Sequence, residues 1–204
     1  MNDIEDVLLD VRKAYRLVYD FQKRVLDLMK FIGGKYRLNY EGGYAKFSRT
    51  APRTGYGSIN NVSWDWLNMY YHEFHFHPQE NGKEKTHFSA FLLSDTGYYI
   101  SKKENEKLQK TTLSKFAPPE QSGTKLILVA GKDVWFGWPE EWNSLNFTLE
   151  EKGSQIYNGN PIIFKQYDLA LFALETSALD RLRDFSAYCS QNEITLKLFE
   201  KNID

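Results

Sequence analysis

The sequence predicts an α+β protein: a long N-terminal α-helix, then a mainly antiparallel β-sheet with a C-terminal helix and a final strand. An uninterrupted heptad pattern of apolar residues occupies the start of the chain, which indicates a helix. Alternating or continuous apolar segments joined by short turns follow, which is typical of strands connected as hairpins. Because no linker separates these parts, we expect a single domain over residues 1–204, with a helix at 2–33 and a β-rich body at 35–204.

The predicted helix runs from Asn2 to Ile32. Its apolar residues recur at alternating three- and four-residue steps, which places them on one stripe of the helix. The members of this stripe are Ile4, Val7, Val11, Ala14, Val18, Phe21, Val25, Leu28 and Ile32. Asn2 and Glu5 have the spacing of a capping box at the start of the helix. Gly33 is expected to end it, because glycine readily adopts the left-handed conformation of a C-terminal cap.

The breadth of this stripe leaves two interpretations open. β-Branched residues at every a position of the heptad favour a parallel two-stranded coiled coil with a second chain. Further apolar residues widen the stripe, so that packing on the chain's own sheet is equally consistent; they are Leu8, Tyr15, Leu17, Met29 and Phe31. If a second chain covers the stripe, the protein is a homodimer whose interface contains Val11, Ala14, Val18, Phe21, Val25 and Leu28.

The composition favours a globular protein of the cytoplasm. Hydrophobic residues make up 42% of the 204 residues, which is enough for one core. The net charge of −1 gives the whole chain no bias towards nucleic acid or acidic membranes. Cys189 is the single cysteine, so an intrachain disulfide cannot form. The sequence shows neither a signal peptide nor an apolar run long enough to span a bilayer, and we expect no membrane partner.

A basic segment rich in aromatic residues follows the helix, at residues 35–61. The segment contains one acidic residue, Glu41, and five positively charged ones, which are Lys35, Arg37, Lys46, Arg49 and Arg53. Interleaved tyrosines can stack on bases while the positive charges bind phosphates. The glycines of the segment match neither a Walker loop nor a dinucleotide-binding fingerprint. The segment is therefore consistent with a nucleic-acid- or nucleotide-binding module and with an ordinary solvated hairpin.

All four histidines lie between residues 72 and 87. Residues 64–77 alternate strictly between two faces, which predicts a strand with Glu73, His75 and His77 on one face. Two imidazoles and a carboxylate are a suitable ligand set for zinc or iron. A metal-dependent enzyme is therefore a second alternative, and outside that alternative we expect no cofactor.

The hairpin after this strand decides whether His87 joins the group. Asn81-Gly82 is a strong turn signal, and a two-residue turn there pairs His87 with Phe76, on the face opposite His75. A turn with an odd number of residues changes the parity and brings His87 to the face of His75.

The rest of the chain completes the predicted sheet and adds a second helix. The remaining strand candidates are Thr124–Ala130, Leu145–Leu149, much of Pro161–Leu174, and Ile194–Phe199 at the end. A helix is expected from about Ser177 to Gln191, with one face formed by Ala178, Leu182, Phe185 and Cys189. Cys189 is then a buried core thiol and not a nucleophile.

The sequence favours a non-catalytic interaction or accessory protein that self-associates through its first helix. This function follows from the strongest pattern in the chain and requires no further site, and a different protein partner is compatible with the same surface. The motifs G-x-S-x-G and H-E-x-x-H are both absent from the sequence. Nucleic-acid binding through residues 35–61 and metal-dependent catalysis through residues 72–87 stay open as alternatives.

Overall fold

The computed structural model describes residues 4–48, 67, 69–134 and 141–200 of the chain. Within these residues the α-helices are α1 (Ile4–Tyr36), α2 (Gly97–Glu104), α3 (Leu145–Leu149) and α4 (Glu175–Gln191). The strands are β1 (Tyr40–Ala45), β2 (Tyr71–Asn81), β3 (Glu84–Leu93), β4 (Lys125–Lys132), β5 (Lys152–Tyr157) and β6 (Asn160–Asp168). Short 3-10 turns occur at Leu113–Lys115, Pro119–Gln121 and Leu169–Phe172. The predicted α+β class is confirmed.

The six strands form one antiparallel sheet in the order β1-β2-β3-β4-β6-β5. Tight turns close the β2–β3 and β5–β6 hairpins, where Asn81 pairs with Glu84 and Tyr157 pairs with Asn160. Each turn contains a glycine at positive φ, 70° at Gly82 and 82° at Gly159, a conformation that side chains with a Cβ rarely adopt. The strand order makes β1 and β5 the edges of the sheet.

Apolar side chains cover both faces of the sheet and form two cores. The first core lies between one face and the helices α1 and α4, and receives Phe88 and Leu92 from β3. The second core lies on the other face against α2 and α3, and receives Phe91 and Leu93 from the same strand. Alternate residues of a strand point to opposite faces, so a central strand in such a sheet must be apolar at nearly every position. The predicted strand Thr124–Ala130 is β4, which is buried from Leu126 to Gly131.

The first helix is longer than predicted, because Gly33 does not end it. α1 continues to Tyr36, and the left-handed residue that follows it is Arg37, with φ 55°. A Cβ added at Gly33 would lie 2.8 Å from the carbonyl oxygen of Leu38 and 2.9 Å from Cε1 of Phe76. Gly33 thus allows α1 to approach β2 closely, and the β-rich body begins after Tyr36, not at Lys35. Asn2, the predicted capping residue, lies outside the described residues.

The chain after β4 differs from the prediction in two places. Leu145–Leu149 is the short helix α3, whose first turn is capped by the Ser144 side chain accepting from the Phe147 amide. Ile194–Phe199, predicted as a strand, has no regular secondary structure; it lies beside β2 without joining the sheet. Side chains take the place of a strand ladder here: the Gln79 amide group donates to the Lys197 carbonyl and accepts from the Lys197 amide. The predicted C-terminal helix is confirmed as α4, with its four apolar residues buried.

Candidate functional site

The N-terminal half of α1 extends beyond the body of the protein. Every residue from 4 to 20 is exposed, whereas Val25 is 2% exposed and Ile32 is fully buried. We call residues 4–20 the projecting half. Its exposed apolar side chains are Ile4, Val7, Leu8, Leu9, Val11, Tyr15, Leu17, Val18 and Tyr19. A contiguous apolar surface of this extent is unusual on a soluble monomer and is typical of a protein interface.

No segment of the described residues covers the projecting half. At about 1.5 Å per residue the projecting half is roughly 25 Å long. The ion pair between Lys13 Nζ and Asp10 Oδ1, at 2.9 Å, is exposed and contributes little. Among the described residues no helix combines the length and apolar character needed to cross a membrane.

The structure divides the predicted oligomer interface between the surface and the core. Val11, Ala14 and Val18 lie on the projecting half and are exposed, whereas Phe21 and Leu28 are half-buried against the first core. Val25 is a core residue. Its assignment to an interface is therefore corrected: the chain's own body already covers this side chain, so a partner cannot reach it.

Two apolar grooves flank α1 where the helix meets the body. The first, of about 630 Å³, lies between α1 and the segment 169–178, with Phe21, Leu28 and Phe172 in its walls. The second, of about 640 Å³, lies on the other side of the helix beside Leu26 and Tyr40. Sequence reasoning did not find these grooves, because each joins α1 to residues far away in the chain.

The three predicted nucleic-acid-binding residues that the structure describes do not share one surface. Lys35 is 6% exposed and its Nζ lies 3.3 Å from Glu175 Oε1, which joins α1 to α4 on the first face of the sheet. The Arg37 guanidinium stacks 3.9 Å above the Phe199 ring. Lys46 Nζ lies 4.8 Å from the ring centroid of Trp142, a residue packed against the second core, and so belongs to the opposite face. Arg49 and Arg53 lie outside the described residues.

Two of the three predicted metal ligands lie together, buried on the face of the sheet that the second core covers. His75 Nε2 is 2.9 Å from Glu73 Oε1, and His75 Nδ1 is 2.9 Å from the Ser89 hydroxyl on β3. The other oxygen of Glu73 forms an ion pair with Lys46. Glu73, His75 and Ser89 are each at most 4% exposed. We call Lys46, Glu73, His75 and Ser89 the polar network. It links the end of β1 to β2 and β3, and its burial is typical of a structural ion pair.

The third predicted ligand, His77, is separate from this network. Its side chain is 58% exposed and its Nδ1 is 3.9 Å from Glu41 Oε1. A bulge between Phe76 and Gln79 interrupts β2 here, and Pro78 explains it, because proline cannot donate to a strand ladder. Over the part of the chain that is described, no three His, Cys, Asp or Glu side chains are grouped as metal ligands. The structure thus does not assemble the predicted zinc or iron site.

The same bulge decides between the two positions that the sequence left open for His87. The turn residues are Gly82-Lys83, and beyond the bulge Phe76 pairs with Phe88 and His75 with Ser89. His87 therefore does not face Phe76; it lies on the face of His75, although no described group completes a ligand set with it. Burial lowers the pKa of His87 and so favours the neutral imidazole. The negative charges of Asp133 and Glu41 offset part of this lowering.

Comparison with known proteins relates the chain to one family. No solved structure matches it. It is 47% identical over 55 residues to the uncharacterized protein PM0109 of Pasteurella multocida (strain Pm70), a match that covers 27% of this chain and 26% of that protein. The chain therefore spans about a quarter of the length of this relative. The profile of the PM0109 family matches residues 1–196, which include α1, the whole sheet and α4. Because that match extends over most of the sequence, the chain belongs to the PM0109 family.

Proposed function

We propose that the protein is a non-catalytic interaction protein that self-associates through the projecting half of α1. The observation that carries this proposal is the exposure of all residues from 4 to 20, on a helix whose heptad pattern continues into the core. Most of the stability of a helix in a protein comes from the packing of its apolar face, and the projecting half has no such packing within the described residues. A partner that covers the stripe would stabilise both its apolar side chains and its helical conformation.

Exposed side chains supply the free energy for association. Val11 is 44% exposed and Val18 is 38% exposed, so complete burial of either one is worth about 1 kcal/mol. Tyr15 and Leu17 are 75% and 71% exposed and contribute more if they are covered. We propose a cytoplasmic setting for this association, since the single cysteine of the chain is a buried thiol.

The proposal is tested by comparing two glutamate substitutions two residues apart. Val11→Glu places a carboxylate in the stripe, whereas Leu9→Glu places one on the opposite side of the helix, about 200° away. The two wild-type side chains are nearly equally exposed, at 44% and 42%. We expect wild type and Leu9→Glu to be dimers by light scattering at micromolar concentration, and Val11→Glu to be a folded monomer.

Circular dichroism provides a second measurement on the same three proteins. If a partner stabilises the projecting half, the Val11→Glu monomer should lose helical signal without losing the cooperative unfolding of the body. A wild-type protein that is monomeric at every accessible concentration would contradict the proposal. Equal dimerisation of both variants would place the contact outside the stripe.

A further inference from the structure

We infer that two copies of the protein pair in antiparallel orientation through residues 4–21 of α1, an inference that rests on the proposed self-association. The pairing has two-fold symmetry, so the same surface is used on both copies. Four features of α1 lead to it: the side on which the stripe lies, the point at which the stripe becomes buried, the spacing of its apolar residues, and its charges.

The exposed and buried parts of the stripe lie on one side of the helix. Val11 and Val18 are exposed, whereas Val25 and Ile32 are buried in the first core. These residues succeed one another at intervals of seven, which is two helical turns to within about 20°. The body of the protein therefore occupies, from Val25 onwards, the same side of α1 that a partner must occupy along the projecting half.

This arrangement blocks a parallel partner. A parallel helix lying on Val11 and Val18 would continue alongside Val25 and Ile32, where the sheet already lies. An antiparallel helix approaches the body with its N-terminal end. Ile4, the first described residue of the second copy, then lies near Phe21, and the second helix does not run into the sheet. The β-branched residues at the a positions predicted a parallel coiled coil, and the position of the body favours the opposite orientation.

The buried Val25 also limits how far the register can shift towards the body. In an antiparallel pair with this heptad, an a residue of one helix lies beside a d residue of the other. If Val7 lies beside Val18 of the second copy, Val11 lies beside Ala14 of the second copy, and only exposed positions are used at these contacts. Shifting the pair by one heptad towards the body would place Val7 beside Val25, which is already covered.

The ends of this register coincide with the groove between α1 and residues 169–178. Ile4 of one copy, which is 65% exposed, reaches Phe21 of the other. Phe21 is half-buried and forms part of the wall of that groove of about 630 Å³. Leu8 of one copy comes to lie beside Tyr15 of the other, so apolar residues that flank the heptad are covered as well.

The charges of the projecting half favour the same orientation. Residues 4–10 contain only acidic charges, from Glu5, Asp6 and Asp10, and residues 11–17 contain only basic ones, from Arg12, Lys13 and Arg16. All six side chains lie about 90° or more from the centre of the stripe, so they act on the second helix only through the net charge of each block. A parallel pair sets each block beside a block of the same sign, which is unfavourable and which salt screens. The antiparallel pair sets residues 4–10 against residues 15–21, where Arg16 and Asp20 balance each other.

Disulfide cross-linking of full-length variants tests the orientation. We expect a mixture of Val7→Cys and Val18→Cys chains, one carrying a size tag, to form the mixed cross-linked dimer under mild oxidation. Neither variant alone should cross-link, because two copies of position 7 are offset by about 16 Å along the antiparallel pair, well beyond the roughly 7 Å that a disulfide can bridge. The native Cys189 is fully buried, and burial raises the pKa of its thiol, so wild type serves as the unreactive control.

The outcomes separate the orientation from self-association itself. Mixed dimers without self-cross-linking support the antiparallel pair. Cross-linking of Val7→Cys with itself would show a parallel pair and overturn the inference while retaining the proposed function. A dimer by light scattering that forms no cross-link in any combination would also overturn it. A monomer that forms none would overturn both the inference and the proposed function.

Discussion

Replacing Gly33 by alanine should destabilise the protein, although alanine is the better helix former. A Cβ at this position would lie 2.8 Å from the Leu38 carbonyl oxygen and 2.9 Å from the Phe76 ring. Neither neighbour can move easily: the Leu38 amide donates to the Gly33 carbonyl at 2.8 Å, and Phe76 is 3% exposed. The substitution must therefore separate α1 from β2 or distort the turn that joins the helix to β1.

Two opposing terms set the expected magnitude. Overpacking of a rigid site costs about 1–3 kcal/mol, whereas glycine to alanine within a helix gains about 0.5–1 kcal/mol. We therefore expect Gly33→Ala to lower the free energy of unfolding by about 1–2 kcal/mol. Gly34 is the matched control, because it also lies in α1 and a Cβ there would have no neighbour within 4 Å. Gly34→Ala should raise the free energy of unfolding by about 0.5–1 kcal/mol.

The assay is urea denaturation followed by tryptophan fluorescence. Both substitutions should be made in a Val11→Glu background, so that association through the projecting half does not contribute to the free energy of unfolding. The two adjacent glycines should give changes of opposite sign. If Gly33→Ala is as stable as its parent, or more stable, α1 does not approach β2 as closely as the structure shows, and the reason given for the helical Gly33 is wrong.

Two further predictions concern lysines outside α1. Lys46→Met should lower the free energy of unfolding, because it removes one partner of the buried Glu73 carboxylate and leaves His75 as the remaining partner among the described residues; the loss should be smaller than the about 3–5 kcal/mol of a wholly unpaired buried charge. Adding Glu73→Gln should restore part of this loss in a double-mutant cycle, and additive effects would show that the two side chains do not interact. Burial, with a smaller effect of Lys102, lowers the pKa of Lys110 to about 8, against about 10.4 for an unfolded lysine. Between these values the unfolded state binds the extra proton, so the stability of wild type relative to Lys110→Met should rise with pH, and an unchanged difference from pH 7 to pH 10 would contradict the shift.

Local periodicity was sufficient to predict much of the fold. The apolar positions of α1 and α4 repeat with the period of a helix, and the helical face predicted for α4 is the face that is buried. The strand predicted over residues 64–77 begins only at Tyr71 among the described residues. From Tyr71 onwards the predicted alternation is that of the structure, with Phe74 and Phe76 in the first core and Tyr71 in the second. These features depend on residues close together in the chain, and the sequence contains them directly.

The features that were not predicted depend on contacts between distant residues. Glycine is the residue type that most often ends a helix, and only the close approach of Gly33 to Phe76 shows why this glycine lies inside one. Lys35 is one of several basic residues in the sequence, yet the structure places it against Glu175 of α4. The bulge that moved His87 to the face of His75 was an intermediate case, since Pro78 is a local signal for a strand irregularity.

The division of α1 into a buried and an exposed half is the least predictable of these features. Val11 and Val25 occupy equivalent heptad positions and are chemically identical, so no property of the stripe distinguishes the residue that lies in the core from the residue that faces solvent. The extent of the sheet decides, because α1 is buried only where the body lies beside it. A uniform stripe can thus contact the chain's own core at one end and a second copy at the other. In that case the body determines both where the contact between copies begins and which orientation of the second helix avoids a collision with the sheet.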